Sequence, residues 1–146
     1  MSLPIALTIL HAAMVAQAVS VTAQPTATSV EIQFADIQAN EGAVLFALFD
    51  SEGAYDFKGA PLRSAIAPVA AGTATTRIDG LAPGTYAVKA FHDVNGNGRM
   101  DTNPFGMPVE PFAFSNSAKG KMGPPSWSQA RFEVTAGANR TAISFR

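Results

Sequence analysis

Between Ser29 and Phe34 every second residue is apolar: Val30, Ile32 and Phe34 alternate with Ser29, Glu31 and Gln33. That period of two puts one set of side chains on each face of an extended strand, and no helix can separate them so cleanly. The same signature recurs downstream. Residues 42–51 (GAVLFALFDS) are almost uninterruptedly apolar, as a strand in the middle of a sheet would be. Residues 56–72 are broken by Pro61 and Pro68, which suits an edge strand or an irregular crossing. Residues 73–81, 84–93, 129–137 and 139–146 follow, separated by turn residues. About seven short strands with turns between them predict an all-β fold, an antiparallel β-sandwich of the immunoglobulin-like or prealbumin-like kind with one long loop. In LAPGTYAV (81–88), Pro83 and Gly84 read as the centre of a type II turn, which predicts that the flanking strands are hairpin partners.

The first 23 residues differ from the rest. Leu3 to Val15 is apolar almost throughout, and small residues follow at Ala16, Ala18 and Ala23, the layout of a secretory signal peptide. The positively charged start is missing, because the first Lys or Arg is Lys58. The apolar run is shorter than the roughly 20 residues a membrane-spanning helix needs, and a buried N-terminal helix is the other reading. The expected organisation is therefore a signal peptide at 1–23 and one domain at 24–146, periplasmic or secreted, with no membrane span after cleavage. No cysteine is present, so such a domain must hold together by packing or by a bound ion. A formal charge of −1 without a basic cluster argues against nucleic acid as a partner.

The densest polar stretch is HDVNGNGRMDTN (92–103), with two aspartates, three asparagines and two glycines in a chain only 14% charged. Asp93, Asn95 and Asn97 take the first, third and fifth ligand positions of an EF-hand-type calcium loop. Gly98 falls at the sixth, the carbonyl of Arg99 at the seventh and Asp101 at the ninth. The match stops before the twelfth position, where Pro104 replaces the bidentate glutamate. Asn103 ends the loop, and Glu110 is the nearest carboxylate that could supply the missing oxygens. The competing reading is a metal-free turn, since Asn-Gly pairs and Asx side chains close turns unaided.

His92 is the single histidine beyond the signal segment. A packed side chain is the ordinary role of such a residue. The functional alternative is a general base for a small hydrolase, with Ser115 or Ser117 as nucleophile. A third reading pairs it with Met100, Met107 and Met122 around copper(I), although methionines more often fill gaps. Residues 104–128 form a segment longer than most loops, and its Phe105, Phe112, Phe114 and Trp127 predict a lid packed on one end of the sandwich. Glu110 and Asn116 are expected to turn toward the 93–103 loop. A groove between lid and loop would suit a peptide, protein or glycan ligand, with Trp127 as a stacking surface.

These motifs taken together, the YAVKAFHD strand end, the N-x-NG-x-x-D-x-N run, GMPVE, FSN and GPPSW, resemble a family of exported bacterial proteins catalogued as a domain of unknown function, DUF2141. The resemblance extends from about Ser29 to Phe145. It implies a small sandwich outside the cytoplasm and no assigned activity; Pro111-Phe112-Ala113-Phe114 departs from the family pattern. The chain reads as a non-enzymatic binding or structural module.

Overall fold

A computed structural model describes residues 27–146; the predicted signal peptide lies outside them. Eight strands run in the order β1 (Ser29–Ala35), β2 (Ala43–Phe49), β3 (Arg63–Pro68), β4 (Ala74–Asp79), β5 (Gly84–Asp93), β6 (Phe112–Phe114), β7 (Phe132–Val134) and β8 (Ala138–Ser144). Two one-turn α-helices interrupt them, α1 (Glu52–Asp56) and α2 (Trp127–Ala130), together with a 3-10 turn at Ser115–Ser117. The strands form two sheets, one ordered β4-β1-β8 and one ordered β3-β2-β5-β6, with β7 also paired to β5.

The alternation in β1 is realised: Val30, Ile32 and Phe34 are buried, and Phe34 meets Phe46 of the other sheet at 5.4 Å between ring centroids. Val44, Phe46 and Leu48 from β2, Val88 and Ala90 from β5 and Ile143 from β8 complete the layer between the sheets. The fold is thus all-β with two facing sheets, as expected. β2 lies centrally and β3, with its prolines, at an edge, also as expected.

Three expectations are corrected. The strands number eight because Phe112–Phe114, inside the long segment, pairs with Lys89–Phe91. The pairing is not wholly antiparallel, since β1 and β8 run parallel from Ser29↔Ala138 to Ala35↔Ser144. The strands around Pro83-Gly84 are not hairpin partners: β4 pairs with β1 and β5 pairs with β2, in different sheets. The positive φ falls at Gly80 (75°) and not at Gly84, which is extended and opens β5. The Tyr86 hydroxyl donates to the carbonyl of Ala82 at 2.7 Å, a tyrosine corner that pins an arch from one sheet to the other. Pro-Gly is compatible with either connection; the buried Leu81 and Tyr86 select the arch because each side chain reaches the core only if the chain changes sheet.

A second, smaller core closes one end. Trp127 is 8% exposed and packs with Tyr55 (5.9 Å between centroids), Phe49, Ala87 and Ala130. The Trp127 amide donates to Asp56 Oδ1 at 3.0 Å, tying α2 to α1. Ser115 lies where the ladder along β5 passes from β6 to β7. Its hydroxyl accepts from the Val88 amide at 2.7 Å and donates to the Ala130 carbonyl at 2.5 Å, satisfying groups that no strand partner reaches.

Candidate functional site

β5 runs straight into the polar loop, and the loop closes on itself. The Asp93 carboxylate accepts from the amides of Gly96, Asn97 and Gly98, at 2.8, 3.1 and 2.8 Å. Asp101 accepts from the side-chain amides of Asn95 (2.6 Å) and Asn97 (2.8 Å). Those bonds, Asn97's first, hold the Asp101 carboxyl below its usual range, so it is ionised near neutrality. Glu110 is buried and joins the loop's two ends, accepting from Val94 at 3.1 Å and from Asp101 at 3.0 Å. Asn103 instead closes the following turn, accepting from the amides of Phe105 and Met107. The Arg99 amide donates to the side chain of Asn97. At the loop's start Gly42 crosses Asp93 so closely that an added Cβ would lie 2.2 Å from the Asp93 carbonyl oxygen. Of the predicted ligand residues, Asp93, Asn95, Asn97, Asp101 and Glu110 are therefore tied into one closed loop, whereas the Asn103 side chain serves the next turn. Among the described residues there is no cluster of three or more His, Cys, Asp or Glu poised to hold a metal.

His92 faces the core and is buried. Its Nε2 donates to the Glu41 carbonyl at 2.7 Å, and its ring meets Phe145 edge-on. Ser115 is committed to Val88 and Ala130, and Ser117 accepts from the Ser144 amide, so neither serine is hydrogen-bonded to His92. The three methionines line the opposite, outer face of the sheet, so the copper set is not assembled. Asn116 donates to the Gln129 carbonyl and does not turn toward the loop.

The predicted lid divides. Trp127 is core and unavailable for stacking, whereas Phe105 is 87% exposed. Phe112 and Phe114 extend an outward sheet face that the alternation pattern alone does not reveal. Register places Ile66, Leu45, Phe91 and Phe112 in one row across β3, β2, β5 and β6, with Ser64, Ala47, Lys89 and Phe114 in the next. These rows floor a groove of about 1210 Å³, lined further by Met100, Gly106–Pro108 and Gly120–Pro124. Gly120 is obligatory in that lining, because a Cβ there would lie 1.6 Å from the Gly123 carbonyl oxygen. Residues 42–51 form the central strand that their apolar run predicts, and the outward face of that strand floors part of the groove. The missed signal was the apolar character of Phe91 and Leu45, both on the strand faces turned away from the core.

A family model described as an uncharacterized protein conserved in bacteria (DUF2141) matches residues 32–142. The chain belongs to this family. The matched span takes in most of both sheets, the 93–103 loop and the whole groove, so the groove is part of the DUF2141 domain in this chain. No curated protein and no solved structure matches the chain. No helix among the described residues is long and apolar enough to cross a membrane.

Proposed function

We propose that this chain is a non-enzymatic binding module that works outside the cytoplasm and carries an apolar ligand in the groove on its five-stranded sheet. One observation carries the reading: the part of the outer sheet face left uncovered by the second core is mostly apolar yet open, with Ile66 63% exposed and Phe112 50% exposed. Contiguous exposed apolar surface of this kind marks a binding site far more often than a neutral surface. The apolar stretch Leu3–Val15 with its small-residue sites supports export. The tyrosine corner supports an immunoglobulin-like or prealbumin-like frame.

Calcium completes the proposal. The donor set of Asp93, Asn95, Asn97, Asp101 and the Arg99 carbonyl is all oxygen, which suits a hard cation, with Asn103 and Glu110 closing the site. Taking up the ion requires the Asn95 and Asn97 amides to turn, so that oxygen replaces the nitrogen now facing Asp101. An ion here would steady the groove lining at Met100 and Gly106–Pro108, which continues directly from the loop.

Two measurements test this. N-phenyl-1-naphthylamine, a neutral apolar probe, should bind saturably to the wild type and lose binding in Ile66→Asp; a probe that does not bind sinks the groove reading. In thermal melts, calcium at 100 times its Kd should add about 2.7 kcal/mol over chelator. Asp93→Asn and Asp101→Asn should weaken that gain, Asn103→Ala should weaken it less, and Glu110→Gln asks whether Glu110 is a ligand or only a staple. A single melting temperature in both buffers removes calcium from the proposal.

A further inference from the structure

We infer that the groove's ligand is a single-chain amphiphile with an anionic head, a long-chain carboxylate, bound with its hydrocarbon chain along the sheet floor and its head at Lys89 and Lys121. The inference rests on the binding-module reading above and names the ligand class.

The lining chooses among ligand classes. Only three of its side chains are polar, Ser64, Lys89 and Lys121, and none is acidic. A glycan would bury hydroxyls against a floor that offers them almost no partner. A peptide would face the same difficulty with its backbone, because the groove presents the flat of a sheet, not an unpaired strand edge. A hydrocarbon chain has no such groups to satisfy. The row from Ile66 to Phe112 crosses four strands, roughly 14 Å at the usual strand spacing, which accommodates an extended chain.

Charge decides the head group. Lys89 sits on the outer face one rung from Phe91, over the Tyr55 ring with Nζ 4.2 Å from its centroid. One of its three protons goes to the Tyr55 carbonyl, and among the described residues it forms no salt bridge. Burial lowers its pKa, with Asp56 opposing and Lys58 adding to the shift. A neutral ligand laid over this ammonium would desolvate it further with nothing in return, and a cationic head would be repelled. Asp56 acts on Lys89 only at a distance, without a salt bridge, and a ligand carboxylate supplies a direct counter-charge. Lys121, exposed in the groove lining, is the second cation available to it.

The test is displacement of N-phenyl-1-naphthylamine from the full domain by dodecanoate, dodecan-1-ol and dodecyltrimethylammonium, each below its aggregation threshold. Dodecanoate should displace the probe at about one-tenth the concentration of the alcohol, with the ammonium weakest. Adding two methylenes to the carboxylate should tighten binding roughly tenfold. Lys121→Glu should abolish the preference for carboxylate over alcohol while the neutral probe still binds, and Lys89→Met should do the same. Equal displacement by carboxylate and alcohol, or a preference that survives Lys121→Glu, overturns the inference while leaving the groove reading intact. Loss of probe binding as protein concentration rises, with a dimer in sedimentation, assigns the groove to a second copy and also overturns it.

Discussion

The two outer faces of this sandwich are built from equally regular strands and could hardly differ more in chemistry. On the three-stranded sheet, Glu31 stands between Arg77 and Arg140, and Gln33 between Thr75 and Ala142. Glu31 and Arg140 pair at 3.1 Å in solvent. On the five-stranded sheet the equivalent rows hold Ile66, Leu45, Phe91 and Phe112, then Ser64, Ala47, Lys89 and Phe114. A sheet needs one apolar face to make a core, and the first sheet stops there. The second keeps an additional apolar face, half covered by the long segment 104–128. That surplus is what a fold does not need and a ligand can use.

The comparison predicts how substitutions divide between core and groove. The largest effect belongs to Trp127→Ala, which empties the second core against Tyr55 and should cost about 3–5 kcal/mol in denaturant unfolding. Leu48→Ala, facing the first sheet, should cost about 2–5 kcal/mol. Ile66→Ala on the outer face should stay within about 0.5 kcal/mol while weakening the apolar probe. An Ile66 variant as damaging as the Leu48 variant would make the outer face a third core and remove the groove.

Ser115→Ala comes next. It strips the hydroxyl that serves Val88 and Ala130 and should cost about 1–3 kcal/mol, because two buried backbone groups lose their partner. Replacement by Thr, which keeps the hydroxyl, should recover much of the loss; recovery by Val would show that shape and not hydrogen bonding is at stake.

The smallest effect is electrostatic. Hydrogen bonds from Asn97 and Asn95 depress the Asp101 pKa in the folded chain, so its contribution to stability is present above the unfolded value and lost as pH falls through the lower folded one. A titration of the Asp101 carboxyl by NMR should show a midpoint below 3.8 in metal-free protein. Asn97→Ala should raise that midpoint, and Asn95→Ala should raise it less. A midpoint at or above the ordinary value would mean that the amides do not face this carboxylate in solution.

Much of this was legible in the residues. Alternation located β1, the proline breaks marked β3 as an edge, and the spacing of Asp and Asn marked a closed loop at 93–103. Glu110 stands out in the sequence as an oxygen donor for an ion in that loop; in the structure its oxygens accept from the backbone amides of Val94 and Asp101. The failures have one cause. Pro83-Gly84 was read as a local turn, but whether a turn returns a strand to its neighbour or carries it to the opposite sheet depends on where Leu81 and Tyr86 can be buried. Trp127 was read as part of one lid with Phe105 and Phe112, yet its burial depends on α1, some 70 residues earlier, offering Asp56 and Tyr55.

What the sequence by itself determined is the strand character of each segment, because period and turn chemistry act over a few residues. It also determined the self-closing polar loop, since an aspartate can find the amides of the next five residues without any partner from afar. Only the tertiary structure decided which apolar face became core and which became groove. Leu45 and Phe46 are adjacent, both large and both apolar, and nothing local separates them. Phe46 meets Phe34 across the sandwich, while Leu45 looks out on a side where no second sheet was built.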